Sequence, residues 1–169
     1  SCGPHRLPEQ AAAVGTATVT ITAENKIATY GTALGQSISV SGLANSDSVD
    51  SVVYTYAGSG ATSYSASTTR PTAVGGYSVT PSSVVLSAGT SSNYSFNYVA
   101  GTATINKKGI TVTGSSSTVL YGASVPTITP LYSSDFAYGE TSSVVSNTTC
   151  STVYAVTSNV GSAPATSCS

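Results

Sequence analysis

The strongest constraint on what this chain can fold into is a repeat. The tetrapeptide G-T-A-T occurs at Gly15–Thr18 and again at Gly101–Thr104. Each copy leads through a short apolar-alternating run to a Tyr-Gly pair, Tyr30-Gly31 and Tyr121-Gly122, and these pairs lie 91 positions apart. A period of that size means tandem copies of one small domain. The match continues from Ser51-Val52-Val53 to Ser143-Val144-Val145 and from Val74-Gly75 to Val160-Gly161. The first copy then runs on through Tyr77–Thr80 and Tyr94–Tyr98, whereas the second reaches Ser169 before any such strands. The expected division is an N-terminal tail (1–13), a first repeat (14–107) and a second, truncated repeat (108–169). Val14–Ile21 reads as the counterpart of Val99–Ile105.

Short alternating runs give the element type. In Thr16–Thr22, Ala17, Val19 and Ile21 fall on one face and threonines on the other, the pattern of a half-buried strand. Ile38 and Val40, Val52 with Tyr54 and Tyr56, Tyr77 and Val79, Tyr94 with Phe96 and Tyr98, and Ala103 with Ile105 repeat it. Thr, Val, Ile and Tyr all suit a pleated surface. No segment holds a 3.6-residue apolar period over ten positions, and only Ser41–Ser48 has the composition for a single helical turn. The expected fold is all-β, as two tandem small domains, each an Ig-like sandwich or a β-grasp-like sheet with one short helix.

Composition excludes several partners. The net charge is −1 with only 7% charged residues, so no basic stripe exists for nucleic acid. No apolar run approaches the length that inserts into and spans a membrane. About a third of the residues are Ser or Thr, a hydroxyl-rich surface that points to an extracellular or cell-surface setting.

The residues that carry the repeat also carry a family resemblance. I-T-A, Tyr-Gly, S-G-L-A-N-S-D (Ser41–Asp47), T-A-V-G-G-Y-S-V-T and N-Y-S-F-N-Y-V-A-G-T-A-T-I follow one another in the first copy. This order resembles the bacterial MBG repeat of the Tyr-Gly type, found in secreted and surface-anchored adhesin-like proteins. The resemblance runs from about Val19 to Ile105 and is partial in the second copy, where Ser41–Asp47 has diverged to Tyr132–Tyr138. It implies a stalk or glycan-contacting module with no catalytic residues and no cofactor. It also implies a disulfide between Cys150 and Cys168, which flank one strand-turn-strand unit of the second copy; such a bond means an oxidising compartment. Cys2 is left over, either a free thiol or a partner in an intermolecular bond.

Catalytic and metal sites find little support. His5, the only histidine, lies in the tail, and no nucleophile-elbow, P-loop or zincin motif occurs. No metal is expected; Asp47 and Asp50 form the only close carboxylate pair and read as a solvated or capping loop, with a weak Ca²⁺ site as the alternative. Lys26 with Asn93 or Asn97 would suit an intramolecular isopeptide bond only beside a buried acid. The expected function is a structural repeat module of an adhesin or fibre. Homo-oligomers would form by strand addition: of the spare segment Ala11–Ile21, part serves as the first strand of copy one, which leaves Ser1–Ala13, with Val14–Thr18, as donor to a neighbour's second copy; the alternative is a fragment of a longer array whose missing strands follow Ser169. The alternative is a carbohydrate-binding surface that uses Tyr64, Tyr132 and Tyr138, the tyrosines outside clear strands, for sugar stacking.

Overall fold

The computed structural model describes residues 11–169, so Cys2 and His5 lie outside the described residues. Almost all regular structure is β, with two single turns of 3-10 helix at Ser91–Asn93 and Ser142–Val144. The chain divides into two compact units. One contains the described residues up to Ala28 together with Ala33–Ile105; the other contains Thr29–Thr32 and Asn106–Ser169. The first Tyr-Gly pair thus belongs structurally to the second unit.

The first unit is built from two sheets. In one, β1 (Ala17–Ala23) lies between β3 (Ile38–Ser41) and β6 (Tyr94–Val99). It runs antiparallel to β3, with Ile21 opposite Val40, and parallel to β6, with Val19 opposite Phe96. The other sheet has the order β2 (Lys26–Thr29), β7 (Gly101–Asn106), β5 (Gly75–Ala88), β4 (Ser48–Ser59). Strict alternation in β1 sends Val19, Ile21 and Ala23 inward, where Val19 and Ile21 are fully buried. Around Val19, Ile21 and Tyr94 pack Ile38, Leu43, Phe96 and Tyr98, and from the second sheet Val52, Val84 and Leu86. The sheets therefore share this core, and Tyr56, Tyr77 and Val79 of the second sheet are buried as well.

Two expectations need correction. Ser41–Ser48 forms no helix: Asn45 and Ser46 both adopt left-handed backbone, φ 55° and 62°, in a tight turn. Leu43, one short apolar residue among polar neighbours, gives a helix no face to bury, while Asn tolerates positive φ. The two G-T-A-T segments are also not equivalent strands. Gly101 opens β7 and is buried so tightly that a Cβ there would lie 2.2 Å from the Ala23 carbonyl oxygen; Gly15 precedes β1 and meets nothing within 4 Å. Of the expected core face, Ala17 and Val40 are exposed, and Phe96 and Tyr98 are half-buried.

The second unit has much shorter strands. β8 (Val112–Gly114) pairs antiparallel with β9 (Pro130–Tyr132), and β10 (Cys150–Thr152) with β11 (Thr166–Cys168). β8 and β9 bracket Tyr121-Gly122 as β1 and β3 bracket Tyr30-Gly31. The buried apolar residues are Ile128 and Ala137, while Leu120, Val153 and Val160 are largely exposed.

The shared core of the first unit should respond steeply to truncation of β1. Ile21→Ala, at a fully buried central position, is expected to cost about 2–5 kcal/mol in chemical denaturation. Phe96→Ala, at a half-buried site, should cost less than Ile21→Ala; the reverse order would place the core elsewhere.

Candidate functional site

Two kinds of tight turn recur in the chain, and each kind has the same geometry both times. In the first, Thr32 N–H donates to Thr29 O (2.8 Å) and Ala123 N–H to Leu120 O (3.0 Å). The glycine at the third position has φ 89° at Gly31 and 78° at Gly122. Positive φ at that position is why Tyr is followed by Gly both times. In the second kind, Asp47 N–H donates to Ala44 O and Glu140 N–H to Ala137 O, each at 2.9 Å. Both central residues are left-handed: Asn45 and Ser46 in one, Tyr138 (φ 52°) and Gly139 (φ 74°) in the other. A-N-S-D and A-Y-G-E are therefore one structural motif, and Asp47 corresponds to Glu140.

Each of these carboxylates accepts a tyrosine hydroxyl. Tyr94 Oη donates to Asp47 Oδ2 (2.5 Å) and accepts from Ala44 N–H (3.1 Å). In the second unit Tyr30 Oη donates to Glu140 Oε1 (2.9 Å), and its ring sits edge-on against Tyr138 with centroids 5.1 Å apart. The hydrogen bond to the carboxylate, foremost, raises the pKa of both phenols above its ordinary value. Gly31 is packed so closely that a Cβ there would lie 2.5 Å from Ala137 Cβ. The constant spacing of the repeat hid this equivalence, because it set Tyr138 rather than Glu140 against Asp47. The legible signal was an Ala, two turn residues of which one is Asn or Gly, and then an acid: A-N-S-D and A-Y-G-E.

Asp47 also borders an open groove of about 570 Å³ in the first unit, walled by Ile38, Val40, Leu43, Val52 and Tyr54. Asp50 lies on the same groove. Among the described residues no three His, Cys, Asp or Glu side chains are grouped to hold a metal ion.

The tyrosines proposed for sugar contact do not converge. Tyr64, half-buried in the first unit, donates to Thr69 O (2.8 Å) and stands edge-on to Tyr77. Tyr132 lies in β9, not in a loop, and is half-buried beside Phe136. Tyr138 alone is well exposed, at 58%. The isopeptide arrangement is absent: Lys26 Nζ pairs with Glu24 Oε2 (2.9 Å), while Asn97 is in β6 of the other sheet.

Cys150 and Cys168 are bonded. They are direct cross-strand partners in the β10–β11 hairpin. Thr149 and Ser169, the adjacent pair, exchange both backbone hydrogen bonds at 2.9 Å, so the cysteines occupy the narrower non-hydrogen-bonded position. That register brings their Cα atoms to 4.1 Å.

The sequence profile of the MBG domain (YGX type) matches residues 19–104, just over half of the chain. The chain belongs to this family. The match starts in β1 and ends in β7, so an MBG domain here is the two-sheet first unit together with its Tyr-Gly turn. No curated protein and no solved structure gives a significant match to it. Membership in the MBG family points to a repeat module. Among the described residues, no helix is long and apolar enough to cross a membrane.

Two outcomes follow from this geometry. Reducing the Cys150–Cys168 bond should lower the stability of the second unit by about 3 kcal/mol by the chain-entropy estimate, with the first unit's transition unchanged in denaturation followed residue by residue. On the alkaline side, a raised phenol pKa stabilises the folded state fully below the unfolded tyrosine value near 10 and ceases to do so as pH rises through the folded value. Ultraviolet titration should therefore show a late-ionising fraction that shrinks in both Tyr30→Phe and Tyr94→Phe.

Proposed function

We propose that this chain is a structural repeat module of an extracellular bacterial adhesin or fibre, acting as a spacer. The observation that carries the reading is the recurrence of both tight turns in the two sequence repeats, with a carboxylate–tyrosine bond at each acidic turn. A module whose repeated features are backbone turns and packing contacts is built to be stacked. The disulfide between β10 and β11 fits an oxidising compartment outside the cytoplasm, and the membership in a family of surface repeats supports the same setting.

Assembly through a donated N-terminal strand would draw on residues that precede β1. Residues from Ala17 onward form β1, which is paired on both sides by β3 and β6. Among the described residues before β1, 11–16 lie in no strand.

The carbohydrate reading keeps one observation in its favour, the exposed ring of Tyr138. Small-angle scattering on chains with increasing numbers of tandem repeats tests the spacer: the maximum dimension should grow by a constant increment per repeat. Collapse to a dimension independent of repeat number would reject it. Glycan-array binding that Tyr138→Ala abolishes would make the module a lectin-like surface instead.

A further inference from the structure

We propose that the outer edge of β4 is a strand-addition site for a short extended peptide of a partner protein, one that is acidic at its N-terminal end, apolar at alternate positions and basic at its C-terminal end. β4 is the last strand of its sheet. Part of its outer edge is already paired, and by the chain itself. Tyr56 and Ser67 exchange both backbone hydrogen bonds, at 2.8 and 2.9 Å, in an antiparallel bridge, and Gly58 N–H donates to Tyr64 O (2.9 Å). The chain then turns off the edge: Thr69 N–H donates to Ser67 Oγ (3.0 Å), and Tyr64 Oη to Thr69 O.

Tyr54 lies two residues along β4 from Tyr56. By the alternation of an antiparallel ladder it also turns its N–H and C=O outward; opposite it, in β5, stands Pro81, which has no N–H to offer. Among the described residues no backbone group pairs with Tyr54 on that outer side. An antiparallel strand at Tyr54 and Val52 would continue the ladder that Ser67 begins, and an unpaired edge recruits such a strand through its main chain.

The side chains of that strand are set by its surroundings. Cross-strand partners share a face. Tyr54 and Val52 wall the open groove of about 570 Å³, whose β3 side is formed by Ile38 and Val40. The residues opposite Tyr54 and Val52 therefore enter an apolar groove. Charges stand at both ends of the stretch. Asp47 and Asp50 border the groove, and Arg70 borders a second pocket with Tyr54 and Thr68. β4 runs from the acids toward Arg70, so an antiparallel strand starts beside Arg70 and ends beside the acids. That order calls for an acid first and a Lys or Arg last.

The edge suits a short peptide better than a second β4. Ser67 fills the edge beyond Tyr54, and register shifts between Ser48 and Val53 break the β4–β5 ladder at the other end. A second β4, with 12 residues, laid antiparallel would run into Ser67. The site lies within the first repeat and does not depend on the spacer reading.

The test is NMR titration of the isotope-labelled full chain with the peptide acetyl-E-V-T-V-T-K-amide, against acetyl-K-V-T-V-T-E-amide. The first should shift the Val52 and Tyr54 amides and saturate. It should bind about three- to tenfold more tightly than the second, the scale of two exposed ion pairs. Asp50→Lys combined with Arg70→Glu, both at exposed positions, should reverse that order. Val40→Lys, on the exposed rim of the groove, should weaken both peptides by about tenfold; the spectrum of each variant reports that it is folded. No saturable shift at Val52 and Tyr54 with millimolar peptide overturns the proposal, as does equal binding of the two peptides or binding that Val40→Lys leaves intact. Two further outcomes overturn it by naming another occupant. Binding seen only after removal of residues 1–10 gives the groove to this chain's own tail, and self-association lost with Val40→Lys gives it to a second copy.

Discussion

The first unit depends on the placement of β1 between two strands that both follow it in sequence, one near and one far. β3 follows within a short connection and pairs antiparallel; β6 arrives from more than seventy residues on and pairs parallel. Parallel pairing demands a long crossover, and β4 and β5 supply it while forming the opposing layer. Because β1 is central, Val19 and Ile21 lose all contact with water, and the residues of both sheets converge on them. The closing of this long loop costs entropy before any contact compensates for it. The dense core around Val19, Ile21 and Tyr94 is what offsets that cost.

Turns are the second organising element, and they work through backbone conformation. Gly31 and Gly122 hold a positive φ that a tyrosine-glycine pair accommodates without strain. The Ala44–Asp47 and Ala137–Glu140 turns place two consecutive residues in the left-handed region, so that the carboxylate after the turn points at a phenol. In the first unit the phenol comes from β6, and in the second from Tyr30. One motif accepts tyrosines of different origin, because its demands are a hydroxyl at hydrogen-bond distance and a small neighbour.

The two units solve their stability in different ways. The first buries aromatic and branched side chains between layers. The second has strands of three residues and little buried apolar surface, and a covalent bond ties its second hairpin. Small domains with thin cores commonly rely on such a staple. The cysteines face each other because the flanking Thr149–Ser169 pair sets the register.

The amino-acid sequence alone determined the all-β class, the repeat and the family, because a period of two residues and the turn demands of glycine are local properties. Val19, Ile21, Tyr77 and Val79 were legible as core for that reason. The helical turn expected at Ser41–Ser48 failed because neighbouring strands and positive-φ turn residues overrode a weak local preference. The exposure of Ala17 and Val40 was also not legible, since alternation tells which face a residue is on but not how far along the strand the opposing layer extends. Only the tertiary structure decided that the G-T-A-T of β7 and that before β1 serve different places, and that Glu140 and not Tyr138 matches Asp47. It alone brought Tyr30 to the second unit. Those are relations between segments distant in sequence, set by strand order and backbone handedness, which no local pattern of residues encodes.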